Sequence, residues 1–126
     1  MVIVDSTVWI QYLRKPDTRV GQEFQKLMES DELAVVGMVI AEVLQGAHGE
    51  KEFAQLFSWF DSFPYLDASK NTWEMVGKIA MELRVRGKLT PMSDLIIAAI
   101  ALENNCQVFT LDDHFGRIPG LKLHKA

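Results

Sequence analysis

The chain has 126 residues, 48% of them apolar and 24% charged. That length fits a single domain spanning 1–126, with a core large enough to need neither disulfides nor a structural metal, and the composition excludes a disordered chain. Thirteen Lys and Arg stand against seventeen Asp and Glu, a formal charge of -4, which is the reverse of the basic footprint of most nucleic-acid-binding domains.

The only cysteine, Cys106, excludes an intramolecular disulfide and a Cys-cluster zinc site, and fits a reducing, cytoplasmic setting. His48, His114 and His124 show no metal-binding spacing among themselves. The opening MVIVDSTVWIQYLRK is not expected to be a signal peptide, because its apolar run breaks at Asp5. No segment has the roughly 20 apolar residues of a membrane span.

In chain order, Val2-Ile3-Val4 reads as a short strand buried on both faces, followed by a helix that Asp5-Ser6 can cap and that runs to Leu13. Arg19 to Ser30 is amphipathic, with Val20, Phe24, Leu27 and Met28 on one face. Leu33 to Val36 is a second buried strand. Met38 to Gly46 and Lys51 to Phe63 are predicted helices, the latter with Phe53, Leu56, Phe57 and Phe60 at three- and four-residue steps. Pro64 ends that helix and Tyr65-Leu66 is a weak third strand. A long helix covers Lys70 to Arg86, with Gly87 as a left-handed cap. The next, opening at Pro91 or Ser93 and running to Asn104, is apolar nearly all round and must be buried. Gln107 to Thr110 and Leu121-Lys122-Leu123 are the fourth and fifth strands. Strands alternating with helices imply an α/β fold with a parallel sheet covered on both faces. Ligands of such sheets bind at the carboxyl ends of the strands.

Acidic residues gather at those ends. Asp5 follows the first strand, and Asp112 and Asp113 follow the fourth. Asp94 lies in the first turn of the apolar helix. Glu42 sits among Val39, Ile40, Val43 and Leu44. Each has an ordinary reading: Asp5 as a helix cap, Asp94 as a first-turn partner of the helix dipole, Asp112-Asp113 as turn residues. Jointly they read differently. All strand ends of a parallel sheet share one edge, so Asp5, Glu42, Asp94 and Asp112 can converge there. Converging carboxylates need raised pKa values or divalent cations. An all-oxygen set favours Mg²⁺ or Mn²⁺ over zinc, and the chemistry such ions serve is phosphoester hydrolysis.

These residues also carry a resemblance. Val2-Ile3-Val4-Asp5-Ser6-Thr7 resembles the opening of PIN domains, and Ala41-Glu42-Val43-Leu44-Gln45-Gly46 resembles their second block. The segment LTPMSDLIIAAIALENNCQVFTLDDHF, Leu89 to Phe115, resembles their Asp, apolar helix, strand and T-x-D block. Order, spacing and length are similar to those of small VapC-type toxins of type II toxin–antitoxin systems. The resemblance implies a three-layer α/β/α sandwich whose parallel sheet of about five strands has the order 3-2-1-4-5. It also implies a Mg²⁺- or Mn²⁺-dependent ribonuclease acting on single-stranded regions of RNA. Carried over, Asp5, Glu42, Asp94 and Asp112 match the acidic metal ligands and catalytic residues. Thr110, with Ser6 or Thr7, matches hydroxyls that hold the carboxylates or the attacking water. One departure stands out: many relatives read T-x-D-x-D-F, whereas Thr110, Asp112, His114 and Phe115 give T-x-D-x-H-F. The favoured reading is that Asp112 alone serves there, with Asp113 or His114 as alternatives.

The resemblance further implies a homodimer and a small cognate antitoxin, with no membrane partner. Arg84, Arg86 and Lys88, around the Gly87 turn, are candidates to grip the RNA backbone. An antitoxin needs apolar surface; Trp9, Tyr12, Phe53, Phe57 and Phe60 are candidates, with Trp59 expected to be exposed, and Trp73 and Met75 are candidates for a dimer face. Two other readings remain open: a receiver-like phosphoacceptor module that binds Mg²⁺ and signals, and a PIN-type RNA-processing nuclease with no toxin role. The acidic total does not weigh against RNA. With the four matched carboxylates set aside, the remaining acids equal the 13 Lys and Arg, and bound divalent ions reverse the local sign.

Overall fold

Val2–Val4, Leu33–Val36 and Gln107–Phe109 are short, β-branched or aromatic runs with almost no exposed residue, and they form the strands β1, β2 and β4 of the sheet. The computed structural model describes residues 1–126 and adds a two-residue edge strand, β3, at Tyr65–Leu66. The order is β3-β2-β1-β4 and every pairing is parallel. Val2 lies between Leu33 and Gln107, and Val35 and Val36 oppose Tyr65 and Leu66. Six helices connect and cover the strands: α1 Ser6–Arg14, α2 Arg19–Glu29, α3 Gly37–Leu44, α4 Glu50–Phe60, α5 Lys70–Val85 and α6 Met92–Glu103. A 3₁₀ turn follows β4 at Asp113–Arg117. No helix is long and apolar enough to cross a membrane.

The fifth strand expected at Leu121-Lys122-Leu123 contracts to one parallel bridge, Val108 to Leu123, on the free side of β4. Two backbone bonds hold it: Val108 N–H donates to Lys122 O and His124 N–H to Val108 O. Its place continues the order 3-2-1-4-5. Pro119-Gly120, with Gly120 at φ +78°, leaves too little extended chain for a longer ladder.

The helix ends follow from local chemistry. At the end of α5, Gly87 takes φ +72°, Lys88 N–H reaches Leu83 O and Gly87 N–H reaches Arg84 O, a paired closure that satisfies the last carbonyls. Asp31 and Asn105 do the same after α2 and α6 at φ 57° and 52°, residue types that tolerate this region. α6 is buried almost all round, with Leu95, Ile97, Ala98, Ala99, Ile100 and Ala101 in the core. It packs against α5, α3 and β4.

Aromatic packing fixes α1. Trp9 is fully buried, its indole N–H donates to Val4 O, and its ring meets Phe24 edge-on at 4.9 Å and Trp59 at 5.0 Å. Truncating Trp9 to Ala is expected to cost about 3–5 kcal/mol. Trp59, expected outside, is therefore partly buried, because the α2 and α4 rings close over Trp9 together. The aromatic residues exposed on α4 are Phe53 and Phe57. On α5, Trp73 is exposed and Met75 half-buried.

Candidate metal centre

Because β1, β2 and β4 run parallel, the residues that leave them emerge at one edge. Asp5 N–H donates to Phe109 O at 2.8 Å, which ties the exit of β1 to the exit of β4. Asp5 stands at the N-cap position of α1, yet its side chain makes no capping bond. The carboxylate is buried, and its Oδ2 accepts from two hydroxyls instead: Thr110 Oγ1 at 2.8 Å and Thr7 Oγ1 at 2.9 Å. Each hydroxyl in turn accepts from the backbone of the β4 exit loop, Thr110 from Asp112 N–H at 2.9 Å and Thr7 from Leu111 N–H at 3.1 Å. With both hydroxyl protons committed to Asp5, the loop and the carboxylate are locked in one network.

Asp94 enters from the other side, in the first turn of α6, with its residue only 6% exposed. Burial, then the charges of Asp112 and Asp5, push its carboxyl up to about 6, against the opposing pull of His114. Glu42 is half-buried on α3 and accepts from Ser6 Oγ at 3.2 Å. Burial raises its pKa, the Ser6 bond opposes the shift, and the Asp5 charge adds to it. Asp5 is thus the shared electrostatic neighbour of both. No Lys or Arg lies within salt-bridge distance of any of these acids. Such a concentration of like charge is costly unless a cation offsets it.

Asp112 caps the 3₁₀ turn, its Oδ1 accepting from His114 N–H at 2.9 Å. That turn swings the imidazole back into the cluster. His114 Nδ1 is 2.9 Å from Asp112 Oδ1 and 3.3 Å from Asp94 Oδ2. Donor atoms of Asp94, Asp112 and His114 all lie within 4.8 Å of one another. The tightest group therefore contains a histidine, which the favoured reading of the sequence left out. The legible signal was the spacing: an Asp that caps a tight turn brings the residue two positions on over its own carboxylate. Asp113, by contrast, is exposed and outside the group. Arg84 lines a cleft with Met92 and Leu95, beside the turn that carries Asp94, while Arg86 and Lys88 are exposed at the end of α5.

The fold and these blocks match the family model described as PIN domain over residues 2–121. The chain belongs to the PIN domain family. Among curated relatives, this PIN domain is 25% identical to Ribonuclease VapC2 of Rickettsia felis, over 96% of this chain and 94% of that protein. Among solved structures it is similar to VapBC2 of Rickettsia felis bound to a DNA fragment from its promoter, with TM-score 0.82, 22% identity and 98% of each chain covered. It is also similar to DNA-bound VapBC of Salmonella typhimurium, with TM-score 0.82, 20% identity, and 98% and 96% coverage. PIN membership and the order β3-β2-β1-β4 set aside the receiver-like alternative, whose sheet is wound 2-1-3-4-5.

The donor set of this PIN domain suits a hard divalent cation. Asp94 of α6 and Asp112 of the β4 exit lie together, with Asp5 close enough to perturb Asp94, and no Lys or Arg compensates them.

Proposed function

We propose that this PIN domain is a divalent-metal-dependent endoribonuclease that cuts single-stranded regions of RNA, as the toxin of a VapBC-type toxin–antitoxin pair. The carrying observation is the carboxylate cluster at the strand ends, free of Lys and Arg, in which burial, then the charges of Asp112 and Asp5, raise the pKa of Asp94. Likeness to a protein named Ribonuclease VapC2 supports RNA as substrate, and likeness to VapBC complexes supports an antitoxin partner.

Asp5, Glu42, Asp94 and Asp112 would hold Mg²⁺ or Mn²⁺. A bound ion of this kind lowers the pKa of water and offsets charge on a phosphate. The rest is the work of the protein. Thr7 and Thr110 fix the Asp5 carboxylate by donating to one oxygen, which leaves Oδ1 free as a donor atom. Ser6 orients Glu42. Asp94 must lose its proton before it can serve, so its pKa of about 6 gates the site at mildly acid pH. Arg84, Arg86 and Lys88 carry no carboxylate partner and would meet RNA phosphates.

The antitoxin would cover apolar surface between α3, α4 and β3, where Ile40, Ala41, Leu44, Phe57, Phe63 and Tyr65 line a groove of about 550 Å³. Homodimerisation would use the exposed side of α5 that carries Trp73.

The test is cleavage of total RNA by the purified chain with Mg²⁺ or Mn²⁺, against EDTA and against Asp5→Asn and Asp94→Asn. Cleavage that survives chelation or both substitutions rejects the metal-nuclease reading. Growth arrest on expression, relieved by a neighbouring small reading frame, separates a toxin from an RNA-processing nuclease.

A further inference from the structure

We propose that His114 is a direct metal ligand, and that its nitrogen makes this centre select a first-row transition ion such as Mn²⁺ over Mg²⁺. The inference rests on the metal-nuclease reading and refines it.

Geometry carries the first part. Two adjacent donors on an octahedral ion with bonds of about 2.1 Å stand about 3.0 Å apart. His114 Nδ1 lies 2.9 Å from Asp112 Oδ1 and 3.3 Å from Asp94 Oδ2. The His114 nitrogen thus already stands at the separation of a neighbouring ligand from each carboxylate, and all three donor atoms lie within 4.8 Å of one another. The carboxylates come from two different elements, α6 and the β4 exit, so the arrangement is not a by-product of local turn geometry alone.

The ring is also held where a ligand must be. His114 N–H is bonded to Asp112, and the next residue, Phe115, is fully buried and anchors the turn. The imidazole itself is 37% exposed, so an ion and water can reach it. Its Nδ1 has no partner besides the two carboxylates. The other two histidines differ. His124 Nδ1 is bonded to Gln107 and its ring packs on Phe109, while His48 is 89% exposed beside a single glutamate.

Chemistry carries the second part. Mg²⁺ binds oxygen and sheds water reluctantly, whereas Mn²⁺ shares its liking for carboxylates but, as a first-row transition ion, accepts imidazole nitrogen more readily. An imidazole ligand also adds no negative charge. It therefore favours the ion that accepts nitrogen more than an ion held chiefly by charge. An all-oxygen centre lacks that bias.

The experiment uses the purified chain with Mn²⁺, Mg²⁺ and pulsed electron paramagnetic resonance, which detects nitrogen bonded to Mn²⁺. The expected result is a ¹⁴N coupling in the wild type that disappears in His114→Asp and His114→Asn but persists in His124→Gln. Displacement of Mn²⁺ by Mg²⁺ should show the Mn²⁺:Mg²⁺ affinity ratio falling at least about tenfold in His114→Asp, which restores oxygen at that position. Bound Mn²⁺ without ¹⁴N coupling, coupling that follows His124, or an unchanged ratio in His114→Asp overturns the inference while metal-dependent RNA cleavage keeps the nuclease reading intact. A folded chain that binds neither ion overturns both.

Discussion

Both ends of β4 place a histidine near a carboxylate, and the surroundings of the two differ. Beside the N-terminal half of the strand, His124 is clasped to the sheet through its backbone, bonds Gln107, and faces Glu23 at 3.7 Å. Glu32, Gln107 and Lys122 share a shallow cleft with it, so acids, a base and an amide mix there. Beyond the C-terminal end, His114 meets Asp94 and Asp112, with Asp5 close enough to perturb Asp94, and no Lys or Arg intervenes. One end dilutes its charges and the other concentrates them. Concentrated, buried like charge lowers stability. Its presence at one edge of the sheet alone is what the proposed cation site would account for, while the opposite edge clasps the chain segment that carries His124.

The contrast breaks hardest at Asp5 and Asp94. Asp5→Asn or Asp94→Asn should reduce RNA cleavage at least about 100-fold, the scale of losing charge stabilisation worth several kcal/mol. Thermal unfolding in EDTA should show no loss of stability for Asp94→Asn, because relief of burial and of repulsion from Asp112 and Asp5 outweighs the weakened 3.3 Å contact with His114. Thr110→Val tests the network that supports the acids. It removes the donor to Asp5 and the acceptor for Asp112 N–H, and should lower activity or metal affinity about 10–100-fold.

Proton linkage comes next in size. In the folded chain burial, then the charges of Asp112 and Asp5, push the Asp94 carboxyl up to about 6, above the ordinary aspartate value of about 3.9. Between those values the folded chain binds more protons than the unfolded chain, so metal-free stability falls as pH rises from about 4 to about 6. Mg²⁺ or Mn²⁺ binds the deprotonated form and should flatten that fall, while cleavage should rise with pH through a midpoint that lies below about 6 and falls further as the metal concentration is raised. Melting curves with and without metal across this range check the sign. The smallest effect belongs to the other end of β4. Glu23→Gln should leave cleavage unchanged and shift stability by no more than about 0.5–1 kcal/mol, as befits a long, partial ion pair.

Much of the fold was legible because its signals are local. Val2-Ile3-Val4 and Leu33 to Val36 are too short and too β-branched for helices, and α6 is too apolar to lie anywhere but inside. The edge of the sheet where Asp5, Asp94 and Asp112 sit could be read from the same rule, since parallel strands end together. What the sequence hid depends on packing or on turn geometry. Asp5 looked like a helix cap, and only the fold shows its carboxylate turned toward Thr7 and Thr110, the latter 105 residues away. Trp59 looked exposed by periodicity, but Trp9, Phe24 and Phe63 surround it. The Leu121 to Leu123 strand shrank to a bridge because Pro119-Gly120 consumes the chain that would have extended it. His114 reads as a loop residue until the 3₁₀ turn over Asp112 is seen.

That reach from Asp5 to Thr110 has a consequence for biosynthesis. Asp5 is translated 105 residues before Thr110, the first of the residues Thr110 to His114 that complete the centre. At about 5–20 residues per second, a ribosome spends several seconds making a chain that has Asp5 and no β4 to dock it against. Until then β1 lacks one neighbour in the sheet, and the Asp5 carboxylate lacks the hydroxyl and the acidic partners of the β4 exit. A nascent chain without β4 would therefore lack the assembled acidic centre. A centre of the proposed kind could assemble only once β4 has been made, about 105 residues after Asp5.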